Sequence, residues 1–177
     1  MSQNEHIPLK DAFAISQRFG LELVKCRLMN CSDFLVCGSI RRLRPICGDI
    51  DIAITKEAFT PKVQNYLSSI LSDVWIPKKK GSSLKSGWFE GFKVEFYVGP
   101  VNGFGALTLF ATGSPSFNIL CRKRATNKGW KLNQYGLWEG ERMVCNCGYE
   151  NDILDALGLS ECYEPERREV REEVVVQ

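Results

Sequence analysis

The chain of 177 residues has one histidine, His6, and nothing like the Cys-x₂-Cys…Cys-x₂-Cys spacing of a structural zinc module. Its eight cysteines include a single close pair, Cys145-x-Cys147. A zinc framework is therefore not expected, and in a reducing compartment such thiols serve mostly as small buried hydrophobes. Long apolar runs are also missing, so no segment is expected to span a bilayer. Met1 to Asp11 has neither a basic leader nor an apolar signal core, which points to an intracellular protein. Charge of one sign is scarce overall. The formal net charge is +2, too little for a uniformly basic coat. It is unevenly placed, however: Lys78, Lys79, Lys80, Lys85 and Lys93 form one basic group, and Arg122, Lys123, Arg124, Lys128 and Lys131 another. From Glu161 onward the chain is mostly acidic. Local basic patches, rather than the total, bind phosphate backbones. A hydrophobic content of 44% describes an ordinary folded protein, one large domain or two small ones sharing a core.

The most informative stretch runs from Phe34 to Thr55. An apolar run, Phe34-Leu35-Val36-Cys37, leads into Gly38-Ser39, then Arg41-Arg42, then Gly48-Asp49-x-Asp51 at the head of a β-branched strand. Side chains alternate along a strand, so Asp49 and Asp51 point the same way, about 7 Å apart. Two hard-oxygen ligands so placed suit Mg²⁺, which takes few carboxylates and completes its shell with water and substrate phosphate. A Gly-Ser turn offers backbone N–H groups and a hydroxyl to phosphate, and Arg42 adds charge-assisted hydrogen bonds. Together these imply phosphoryl transfer from a nucleoside triphosphate.

Elsewhere the pattern predicts a helix from Leu9 to Phe19, stopped by Gly20 and lying on a sheet edge. A short helix is expected over Ser39 to Arg44, ended by Pro45. Thr60-Pro61 reads as a cap and first turn for a helix carrying Val63, Leu67 and Ile70. A hairpin is expected from Trp75-Ile76 through the basic turn at 78–83 and back from Leu84 to Phe89. Phe92 to Val98 alternates as a strand, with Val94, Phe96 and Val98 on one face and Lys93, Glu95 and Tyr97 on the other. If that strand lies beside the Asp-x-Asp strand, Glu95 becomes a third carboxylate. Ala106 to Ala111 and Ser116 to Asn127 read as helices separated by Thr112-Gly113-Ser114-Pro115. A strand and turn over Gly129 to Leu137 and a helix ending at Gly158 complete the pattern.

The order Gly-Ser, double Arg, Gly-Asp-x-Asp is similar to the nucleotidyltransferase superfamily signature, and the Ser-x-Arg-Arg-x₅-Gly-Asp-x-Asp spacing resembles its family X DNA polymerases. Phe110-Ala111-Thr112-Gly113-Ser114 with Asn118 and Arg122 resembles the segment at that family's nucleotide pocket, and Tyr163-Glu164-Pro165-Glu166-Arg167-Arg168 its closing element. The resemblance implies an α+β fold: a nucleotidyltransferase-like palm, a mixed β-sheet with helices, over residues 1–104, then a small α/β thumb-type domain over 105–177. It implies the family's reduced palm-plus-thumb form, without the amino-terminal lyase and fingers-like domains. It makes Asp49, Asp51 and Glu95 the catalytic ligands of two Mg²⁺ ions, or Mn²⁺ in their place. Gly38, Ser39, Arg42, Gly48, Phe110, Ala111, Gly113 and Asn118 become nucleotide-binding, and Arg122, Lys123, Lys131 and Tyr135 DNA-binding. Three residues depart from the family pattern: Glu95 for Asp, Ala111 for Phe, and Gln134 for an acidic residue.

The expected function is thus template-directed addition of dNTPs to a primer 3′-OH, as short gap filling in DNA repair. The expected partners are gapped or nicked double-stranded DNA and a dNTP, with no membrane, for a monomer of the cytoplasm, nucleus or virion. The rival readings are a template-independent nucleotidyltransferase acting on RNA or another acceptor, and a catalytically weak DNA-binding relative.

Overall fold

In the computed structural model, residues 6–25, 33–75 and 84–169 are described. Two short strands, β1 (Ile7–Pro8) and, later, β3 (Ile46–Cys47), enclose α1 (Leu9–Lys25), β2 (Phe34–Val36) and α2 (Gly38–Arg41). There follow β4 (Ile50–Thr55), α3 (Pro61–Ile70), β5 (Ser72–Trp75), β6 (Leu84–Phe89) and β7 (Phe92–Gly99). The second half holds α4 (Phe104–Thr112), α5 (Pro115–Asn127), β8 (Lys131–Asn133), β9 (Gly136–Glu139), β10 (Arg142–Met143) and α6 (Glu150–Leu157). The expected mixed α+β architecture is what forms.

The main sheet has the order β2-β4-β7-β6-β5, with β4 and β7 parallel and the other pairs antiparallel. Alternation sorts its two faces. Ile50, Ile52, Ile54, Val94 and Phe96 turn to one side and meet Phe19, Leu23, Val63 and Leu67 from α1 and α3. The Phe19 ring lies 5.0 Å from Phe89 and 5.9 Å from Phe96. Helix α1 therefore covers the face of the sheet, not its edge. It also runs past Gly20 to Lys25, five residues beyond the expected stop. A helical glycine costs only about 1 kcal/mol, and burial of Phe19 and Leu23 on one stripe outweighs it. Helix α3 starts as its sequence predicts, with the Thr60 hydroxyl accepting from Val63 N–H at 3.3 Å. The β5–β6 pair forms the expected hairpin, while its basic turn at 78–83 lies outside the described residues.

Ala53 on the other face packs with Cys37, Leu107 and Ala111. That places α4, apolar on nearly all sides, between the large sheet and a second core. This second core gathers Ala106, Leu109, Phe117, Cys121, Leu137, Ile153, Leu154 and Leu157 from α4, α5, β9 and α6. Gly105 lets α4 touch the start of α6: a Cβ there would sit 2.3 Å from the Tyr149 carbonyl carbon. At the end of α4 the Gly113–Ser114 peptide is cis, and Ser114 caps α5 by accepting from Phe117 N–H at 3.3 Å.

Candidate active site

Two neighbouring strands and one tight turn build the site. The parallel register sets Asp51 of β4 directly opposite Glu95 of β7, and Asp49 sits one residue before β4. Carboxylate oxygens of Asp49, Asp51 and Glu95 all lie within 4.8 Å of one another, the one acidic, histidine or cysteine cluster among the described residues able to hold a metal ion. The sequence expectation that the three acids converge is met by this geometry. Gly38, with φ of +61°, explains the tightness: a Cβ there would fall 1.8 Å from Asp51 Oδ2.

Cationic charge compensates this cluster only in part. Burial, then Asp49 and Glu95, push the Asp51 carboxyl up to about 7, against the pull of Tyr97 and Arg42. Asp49 is raised too, by burial and then by Glu95. Two residues with no role assigned from sequence stand beside the acids. The Lys93 ammonium is ion-paired with Glu95 Oε1, and the Tyr97 hydroxyl donates to Glu95 Oε2 at 3.1 Å. The Tyr97 ring meets Phe110 edge-on, centroids 5.9 Å apart. Their signal was the i, i+2, i+4 spacing of Lys93, Glu95 and Tyr97, which forces a shared face.

A cleft of about 450 Å³ opens over the aspartates, lined by Ser39, Arg42, Asp49, Asp51, Tyr97, Phe110, Ala111, Thr112, Gly113, Pro115, Asn118, Ile119 and Arg122. That volume suits a small organic ligand. Ser39 Oγ is buried and is the one such side-chain oxygen or nitrogen among the described residues without a hydrogen-bond partner. Arg42 reaches the cleft already engaged, its Nε donating to Glu169 Oε1 at 2.6 Å and its Nη1 to the Thr112 carbonyl. Asn118 Nδ2 donates to the Phe110 carbonyl at 2.9 Å. Of the sequence-predicted site residues, Gly38 and Glu95 stand against Asp51 without lining the cleft, Gly48 lies against the His6 ring, and Lys123, Lys131 and Tyr135 do not line the cleft either.

Behind the cleft is a second buried carboxylate, Glu150, at the start of α6. Arg41 grips it with two bonds of 2.8 and 2.7 Å and also donates to Thr112 Oγ1 at 2.7 Å. Arg168, fully buried, adds a bond of 2.7 Å and donates to the Cys162 and Tyr163 carbonyls. Sequence reasoning missed this triad. Its faint signal was the Arg-Arg doublet, since adjacent residues at a helix end do not share a face.

Comparison with known proteins agrees with this geometry. The family description DNA polymerase beta palm matches residues 7–86, and DNA polymerase beta thumb matches residues 107–169. The chain belongs to the family X DNA polymerases. It is also similar to DNA polymerase lambda of Rattus norvegicus, 25% identical over 153 residues, covering 71% of this chain and 27% of that protein. The chain thus spans about a quarter of the length of that relative. No helix among the described residues is long and apolar enough to cross a membrane.

Proposed function

We propose that the chain is a template-directed DNA polymerase that adds a dNTP to a primer 3′-OH, with short gaps in duplex DNA as its working substrate. The convergence of Asp49, Asp51 and Glu95 beside a cleft that holds an unpartnered serine hydroxyl carries this reading. Three hard carboxylates fit Mg²⁺ or Mn²⁺, and the upward push on Asp51 marks a cluster short of positive charge. Asp49 and Asp51 would hold two ions, with Glu95 sharing one. Bound there, divalent cations lower the pKa of the attacking hydroxyl and offset charge on the leaving pyrophosphate.

The chain's own groups do the positioning. Ser39 Oγ and Arg42 bind phosphate oxygens, and Gly38 keeps the turn close enough to hold Asp51 in place. Phe110, Ala111 and Gly113 face the sugar, Asn118 reads the minor-groove edge of the new pair, and Arg122 reaches the template strand. Gly48 acts indirectly, leaving room for His6 at the turn before Asp49. Lys123, Lys131 and Tyr135 contact the duplex away from the cleft. The palm occupies residues 1–104 and the thumb 105–177, a division supported by the two hydrophobic cores.

Extension of a gapped duplex with each single dNTP tests the proposal. Incorporation of only the complementary nucleotide, abolished in Asp51→Ala, is the expected result. Untemplated addition would instead identify a template-independent transferase. DNA binding with no incorporation at any Mg²⁺ or Mn²⁺ concentration would leave a binding module.

A further inference from the structure

Arg42 lines the cleft, yet its guanidinium is only partly available. Its side chain is 12% exposed, and its described bonds use Nε, to Glu169, and Nη1, to the Thr112 carbonyl. A surface ion pair would carry little meaning, but this one is held from both ends. Glu169 directly follows Arg168, which is fully buried and tied by its guanidinium to Glu150, Cys162 and Tyr163. The Arg168 carbonyl in turn accepts from Ser114 Oγ at 2.8 Å, at the cap of the helix bearing Asn118 and Arg122. The backbone ahead of Glu169 is therefore anchored, and from there its side chain, 34% exposed, reaches Arg42. Its second oxygen lies 3.7 Å from Arg44.

We propose that Glu169 is a positioning residue for the phosphate end of the cleft. It fixes the Arg42 fork through Nε, the Thr112 carbonyl fixes it through Nη1, and the remaining Nη2 is presented to an anionic group beside Ser39 Oγ. A planar fork pinned at two of its three nitrogens loses little further freedom when it binds the third partner. Glu169 thereby couples the far end of the second core to recognition of a triphosphate. The inference rests on the proposed nucleotide-binding reading and deepens it.

Glu169→Gln keeps the shape and removes the charge. Titration calorimetry with Mg²⁺ and tripolyphosphate should show affinity about tenfold weaker in this variant than in the wild type. In gapped-duplex extension, KM for dNTP should rise by a similar factor with kcat unchanged and the melting temperature unmoved. In an Arg42→Met background, Glu169→Gln should have no further effect on either measure. Equal or tighter binding by Glu169→Gln would overturn the proposal, because Glu169 would then be a competing anion or a bystander. A kcat loss without a KM change would overturn it as well. Wild-type protein that binds neither tripolyphosphate nor dNTP would remove the nucleotide-binding reading itself, and this inference with it.

Discussion

Two regions of the molecule bury carboxylates, and their surroundings move those groups in opposite directions. Glu150 is penalised by burial, yet Arg41 and Arg168 overcome that cost and hold its carboxyl below the usual range. Asp51 suffers the same penalty, with two more carboxylates as neighbours, and is pushed up to about 7. One site is balanced within the chain; the other sets Lys93 on Glu95 against three acids and stays short of positive charge. The first belongs to architecture and joins α2, α4, α6 and the closing segment. The second is a site at which a divalent ion would relieve the chain's own repulsion. Charge balance, more than burial, separates the structural acid from the candidate catalytic one.

Removing an acid from each region sharpens the contrast. Asp51→Ala should lower kcat for nucleotide incorporation by more than about 10³-fold, while metal-free stability stays level or rises because a repulsive charge is gone. Residual activity within tenfold of wild type in that variant would refute the metal-ligand role. Glu150→Ala should do the reverse to the fold. Arg41 and Arg168 would be left unpaired, a change that costs about 3–5 kcal/mol, or roughly 10 °C in melting temperature for a chain of this size. Circular dichroism melts check it, and a loss below about 1 kcal/mol would show that the triad contributes little.

The pH dependence of stability separates the regions without mutation. The folded-state pKa of Asp51 lies above its unfolded value, so the native state holds a proton that the unfolded chain has released between about pH 4 and 7. Stability therefore falls as pH rises through that window and levels off above it, and Asp49 adds in the same direction. Glu150 is depressed, so its contribution is present above its unfolded pKa and is lost as pH falls through the folded value. Melts in chelator should accordingly show a lower midpoint at pH 8 than at pH 5, by a few degrees. Adding Mg²⁺ or Mn²⁺ should raise the midpoint more at pH 8 than at pH 5, since binding needs the ionised acids. Asp51→Asn should flatten both trends; an unchanged pH slope in Asp51→Asn would assign the effect elsewhere.

The contrast also explains what could be read from sequence. The Gly-Ser turn, the Asp-x-Asp pair and the alternation around Glu95 depend on spacings of a few residues, which sequence displays directly. Their convergence needed one long-range step, the parallel pairing of β4 with β7, and the family resemblance supplied it. The Glu150 triad joins residues 109 positions apart. Nothing local distinguishes its glutamate from a solvated one at a helix start, where acids are common for other reasons. Gly20 misled for a related reason, because a breaker is read locally while Phe19 and Leu23 are held by a sheet still far off in sequence. Gly38 was legible as a turn residue, but its deeper cause, the Asp51 carboxylate against its backbone, appears only in three dimensions.

The smallest expected effect concerns the wall between the regions, where α4 presents Phe110 and Ala111 to the cleft. Ala111 is 8% exposed and packs with Cys37, Ala53 and Leu107, while Phe110 leans on Tyr97. If the proposed sugar contact holds, the Phe110–Tyr97 pair would supply more of its bulk than the small, largely buried Ala111. Ala111→Phe should overpack this cluster and destabilise by about 1–3 kcal/mol, instead of adding a clean barrier to ribose. Phe110→Ala should lower dNTP-over-rNTP selectivity by several-fold, since steric discrimination at one contact is worth only about 1–3 kcal/mol. Single-turnover incorporation of matched dNTP and rNTP measures the ratio. Unchanged selectivity in Phe110→Ala, alongside a stable and more selective Ala111→Phe, would move the sugar contact from residue 110 to residue 111.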